Sequence, residues 1–199
     1  ASIIGIIIGL IRTKAVALLL GPAGIGLLGL YQSLVTTAAT VSAMGLGVVG
    51  TRQVAEAVSQ DDGRRLYLAR RTLFWTTILA AVCGAALFFA FRRSIAYYLI
   101  GPDADLGDIT WMALGVLLTV AAGSQSALLN GLRQIRFLAL ISINSALIST
   151  LIGVLALAIF GRSALISFFV LTPLASFVLG HYYVQKLQSA EAYPVNRRE

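Results

Sequence analysis

Arg12 and Lys14 are the only ionisable side chains near the middle of a long apolar run. A charge at the centre of such a helix costs about 2.5–3.5 kcal/mol on insertion scales, so it normally faces a bundle interior or a watery cavity. Both side chains are cations, and a cation fixed in a dry setting suits an anionic ligand. Arg12 lies too deep in its run to snorkel easily to an interface. Gly5, Gly9 and Arg12 recur at spacings of four and three, which puts them on one helical stripe. Gly5-xxx-Gly9 is a close-packing pattern, so that stripe is expected to face protein. Lys14 is about 200° around the helix from Arg12, beside Ile3, Ile7 and Leu10, and by periodicity it faces lipid unless the helix bends.

Uncharged polar residues extend this lining. Gly29, Gln32, Thr36, Thr40, Ala43 and Gly47 make one stripe. Gly115, Thr119, Ser126, Asn130 and Arg133 make a second, and Ser142, Ser145, Ser149 and Gly153 a third. Small residues of this kind commonly line helix–helix contacts, which accounts for the serines. Gln32 and Asn130 demand several hydrogen-bond partners, which a packing stripe does not supply. No Asp or Glu lies deep in any apolar run. A coupling carboxylate and a cation channel built on acidic rings are therefore both disfavoured.

Other motifs mislead. GIGLLG (24–29) and GLGVVG (45–50) are literally G-x-G-x-x-G. A dinucleotide site needs a preceding strand, and both copies instead flank one apolar run, where glycine lets helices pack or bend. Asp61-Asp62-Gly63-Arg64-Arg65 lacks the further carboxylates a metal site needs and reads as a solvated turn. One cysteine, Cys83, and one histidine, His181, give no disulfide, no metal centre and no nucleophile–base pair. No cofactor is expected, and no enzyme chemistry.

The elements that must position these residues follow from composition. Of 199 residues, 58% are hydrophobic and 12% charged, and mean hydropathy is +0.88. Such a chain can neither cover a soluble surface nor stay disordered. A β-barrel would need short alternating segments, whereas the apolar runs here are long and unbroken. The expectation is an all-α integral membrane protein, a bundle of six transmembrane helices forming a single lobe. A bilayer core needs about 20 residues per span, and six candidates fall at 2–20, 27–50, 72–91, 109–130, 137–160 and 164–185. Residues 186–199 form a polar tail containing Pro194, and Pro173 is expected to kink the sixth span.

The net charge of +7 reads as an excess of cytoplasmic Lys and Arg, not as nucleic-acid binding. With the N-terminus inside, the inner segments carry Arg52, Arg64, Arg65, Arg70, Arg71, Arg133, Arg136, Lys186, Arg197 and Arg198. The outer ones carry only Arg92, Arg93 and Arg162, with Asp103, Asp105 and Asp108 beside the first two. Both termini are thus expected to be cytoplasmic. Tyr97, Tyr98 and Trp111 fall where an aromatic belt would lie. Residues 3–11 precede the charges at Arg12 and Lys14, the reverse of a signal peptide, so they are read as mature protein.

The run from Lys14 to Leu34, KAVALLLGPAGIGLLGLYQSL, resembles the first helix and turn of polysaccharide flippases, as does AMGLGVVGTRQVAEA (43–57). These are the Wzx-type O-antigen translocases of the multidrug/oligosaccharidyl-lipid/polysaccharide exporter superfamily. The LGPAGIGLLGLYQSL segment is the specific part, while the later helices match in spacing and character. Full-length members have two six-helix lobes, and this sequence looks like the N-terminal lobe. The resemblance implies flipping of an undecaprenyl-pyrophosphate-linked oligosaccharide, an O-antigen or exopolysaccharide repeat unit, across the bacterial inner membrane. Arg12 would then be the central phosphate contact, with Lys14 and Arg52 as helpers and Gln32, Thr36 and Asn130 on sugar hydroxyls. The prenyl tail would stay in membrane lipid. The partner would be a C-terminal lobe or a second copy of the chain. The alternatives are an exporter of another lipid-linked precursor or of a drug, and an inactive fragment or half-transporter needing a second lobe.

Overall fold

The computed structural model describes residues 2–60, 63–100 and 106–191. Helices α1 (Ser2–Ala43), α2 (Leu46–Ser59), α3 (Gly63–Ala90) and α4 (Arg92–Ile95) are followed by a π-turn at Ala96–Ile100. Then come α5 (Leu106–Gly131), α6 (Ile135–Phe160), a 3-10 turn at Gly161–Ala164 and α7 (Leu165–Glu191). No strand occurs among the described residues. Four stretches are long and apolar enough to cross a membrane: Ile3–Ala43, Gly63–Ala90, Leu106–Gly131 and Ile135–Lys186. The protein is an all-α membrane protein.

The first and last of those stretches are each broken at a glycine. Gly21 has φ 67 and ψ −165, a conformation open to glycine almost alone. Pro22 follows, where its missing N–H costs nothing at the start of a new helical arm. A straight helix would hold Arg12 and Gln32 about 30 Å apart, yet they line one cavity. Val16, Leu28, Tyr31 and Val35 likewise share one core. The chain therefore doubles back at Gly21, laying arm 22–43 against arm 2–20. Gly161 (φ 62) does the same between α6 and α7, whose ends meet where Phe168 packs against Gly153.

Hydropathy and helix do not coincide after residue 43. The second span is expected to continue to residue 50, but Met44 (φ 43) and Gly45 (φ 76) turn the chain and α2 starts afresh. The stretch 51–71, which falls between the second and third expected spans, is helical over 51–59 and again from Gly63. These turns are amphipathic: α2 buries Gly50, Val54 and Ala57 on one side and exposes the charged pair Arg52–Glu56 on the other. Asp61, Asp62, Asp103, Asp105, Pro194, Arg197 and Arg198 lie outside the described residues.

Helix α5 is the axis of the fold. It packs on α1, α2, α3 and α7, and 67% of its apolar stretch is buried against 11% for Ile3–Ala43. Its core residues Ile109, Met112, Val116 and Leu129 are wholly enclosed. Close approach rests on glycine here. A Cβ at Gly131 would stand 2.6 Å from the Val54 side chain and 2.9 Å from the Thr51 carbonyl oxygen. One at Gly115 would stand 2.8 Å from the Phe169 carbonyl oxygen. The close packing expected at Gly5 and Gly9 is not there, since a Cβ at either would meet nothing within 4 Å. The serine stripe of α6 does pack: Ser145 and Ser149 are buried and bond back to their own helix. Helix α7 runs through Pro173, and Tyr97, Tyr98 and Trp111 are all exposed.

Candidate functional site: a cationic cleft along helix α5

Three adjoining cavities, each bordered by Gly123 of α5, make one cleft. The first, about 290 Å³, lies between Arg12, Gln32, Thr119, Ser126, Phe168 and Thr172. The second, about 230 Å³, includes Thr36, Thr40, Thr77 and Thr119. The third, about 710 Å³, includes Thr51, Arg52, Ser126 and Asn130. Thr119 and Asn130 are eleven positions apart on α5, so the cleft follows that helix for about 16 Å. Among the described residues no acidic side chain lines any of the three.

Arg12 reaches this cleft because the chain reverses at Gly21. It is half-buried, and its guanidinium carbon lies 5.7 Å from the centroid of the Phe168 ring. Its Nε is buried with no hydrogen-bond partner. An unpaired buried donor on a cation is costly unless something else satisfies it. The Oγ1 of Thr77, in the second cavity, is orphaned in the same way.

The other expected residues arrange themselves around this centre. Gln32 Nε2 donates to Thr36 Oγ1 at 3.1 Å, and Thr36 Oγ1 donates to the Gln32 carbonyl oxygen at 2.7 Å. Thr40 repeats that back-bond onto the Thr36 carbonyl oxygen. Gln32 and Thr36 are thus mutually oriented on one exposed face of arm 22–43. Arg52 marks the far end, where its Nε donates to Glu56 Oε1 at 2.7 Å. That hydrogen bond raises the Arg52 pKa above its ordinary value, so it is cationic at every physiological pH. Asn130 shares the Arg52 cavity. Lys14 is exposed on arm 2–20 and is not among the lining residues.

Two polar residues lie outside the sequence pattern. Thr77 of α3 belongs to none of the polar stripes read from the sequence. Gln125 is about 100° or more away from the Thr119–Ser126–Asn130 face, and it lines a separate pocket. A glutamine inside an apolar run was the available signal for it.

Fold and cleft together define a multi-pass all-α membrane protein with a cation-lined interior groove. Residues 1–194 match the family described as Polysaccharide biosynthesis protein, and the chain belongs to that family. No curated protein and no solved structure matches it.

Proposed function

We propose that the chain is one lobe of a transporter that flips an undecaprenyl-pyrophosphate-linked oligosaccharide across the bacterial inner membrane. It crosses six times, with both termini cytoplasmic. One observation carries this reading: Arg12 holds a buried, unpartnered guanidinium nitrogen inside a cleft that no acidic side chain lines among the described residues. A diphosphate supplies the missing acceptors, and guanidinium matches phosphate oxygens through paired N–H donors. Gln32, Thr36 and Asn130 offer amide and hydroxyl groups to sugar hydroxyls. Arg52 attracts the diphosphate at the cytoplasmic mouth, and Lys14 acts from the lipid-facing side. The prenyl tail remains in the bilayer while the head travels along α5. A second lobe, or a second copy of this chain, closes the cleft, and rocking of one lobe against the other alternates its exposure.

The test is Arg12→Gln in the complete gene, with surface polysaccharide and the membrane level of the protein both measured. Loss of one charge-assisted contact predicts export lowered by about tenfold or more at unchanged protein level. Unaltered export at normal protein level would remove Arg12 from the mechanism and the reading with it.

A further inference from the structure

A second pocket, about 400 Å³, lies between α3, α5 and α7, and among its described lining residues it shares only Ser124 with the cleft. It is lined on one side by Arg70, Arg71 and His181 and on the other by Phe74 and Leu128. Among the described residues no acidic side chain lines it. Gln125, which also lines it, is almost fully buried, and its Oε1 has no hydrogen-bond partner. The pocket is formed by the first turns of α3 and the last turns of α5 and α7. By the distribution of Lys and Arg, that is the cytoplasmic end.

We propose that this pocket binds the headgroup of an anionic phospholipid of the inner leaflet, with its first acyl methylenes against Phe74 and Leu128. Two guanidinium groups answer the phosphodiester charge. The volume far exceeds a phosphate ion, since a water claims only about 30 Å³ of liquid. Half of the wall is apolar, which a free phosphate would have to desolvate against without return. An amphipathic lipid matches both halves. Lipid bound here touches α3, α5 and α7 at once and braces the helix that carries the cleft. It does so whatever substrate the cleft itself carries.

Native mass spectrometry of the full chain, released from micelles doped equally with phosphatidylglycerol and phosphatidylcholine, tests this. Phosphatidylglycerol adducts should dominate in the unaltered protein. They should fall by about fivefold for each arginine removed in Arg70→Gln and Arg71→Gln, and stay unchanged in Arg136→Gln, an exposed cation at the same end. Equal retention of the two lipids in the unaltered protein overturns the proposal, and that ratio needs no variant to fold. Displacement of phosphatidylglycerol by inorganic phosphate overturns it too, because the pocket would then be a simple anion site.

Discussion

The guanidinium carbon of Arg12 and the ring centroid of Phe168 are 5.7 Å apart, although the two residues come from the first and last long helical stretches of the chain. The same Phe168 packs on Gly153 of α6. The ring is therefore held by one helix while it offers its face to a cation on another. Cation–π pairs contribute about 0.5–2 kcal/mol, the upper figure when desolvated. A double-mutant cycle of Arg12→Gln and Phe168→Leu on thermal unfolding in detergent should show coupling in that range. Additive effects would mean that Phe168 only fills space beside Arg12.

Arg12 and Lys14 are two residues apart and carry the same charge, so they separate position from electrostatics. Arg12 lines the cleft and Lys14 is exposed. Arg12→Lys keeps the charge but loses the planar fork, and export should fall to a level between those of the unaltered protein and Arg12→Gln. Lys14→Gln should change export by less than about twofold, or about 0.4 kcal/mol, because Lys14 lines none of the three cavities. Equal loss in both variants would show that net positive charge near this depth, and not the Arg12 geometry, is what the substrate meets.

Arg12 was legible because an arginine stands out in an apolar run. Gln32, Thr36 and Asn130 were legible because helical periodicity groups residues by face before any fold is known. Other features depend on information that periodicity lacks. Gly21-Pro22 reads as one pair among several glycines, and only the backbone shows that the chain reverses there. Helix α2 is too polar to register as a span, yet it packs on α5 through Val54. Gly5 and Gly9 have the spacing of a packing motif, but whether a neighbour covers them is decided by helices far along the chain. Gln125 was lost because its face of α5 carries no other marked polar residue.

The reversal at Gly21 is what brings Arg12 beside Gln32, so its backbone can be tested directly. A Cβ at Gly21 would meet nothing within 4 Å, so any cost of Gly21→Ala comes from φ 67 and ψ −165 and not from crowding. Non-glycine residues in such regions cost about 1–3 kcal/mol. Gly21→Ala should lower the unfolding temperature measurably and reduce reactivity between cysteines placed at 12 and 32. Gly5→Ala, equally uncrowded and without a positive φ, should leave both unchanged. If Gly21→Ala matched Gly5→Ala, arm 2–20 would be held by side-chain packing alone.

Outside the cleft, arm 22–43 is tied to α5 by Tyr31. Its hydroxyl donates to Asp108 Oδ2 at 3.3 Å, linking arm 22–43 to the first turn of α5 across 77 positions. The ring is buried and stands edge-on to Phe169, with centroids 6.2 Å apart, so Tyr31→Phe keeps the packing and removes only the hydroxyl. A bond to a charged acceptor usually contributes about 1.5–3 kcal/mol, and at this length the lower part of that range applies. Asp108 also lies in the first turn of α5, where a negative charge favours the helix dipole. Asp108→Asn should therefore destabilise more than Tyr31→Phe, because it loses the dipole interaction as well as the charged acceptor. The double variant should be no worse than Asp108→Asn by more than a few tenths of that range. Fully additive losses in detergent unfolding would mean that the two residues act apart and that some other contact fixes arm 22–43 against α5.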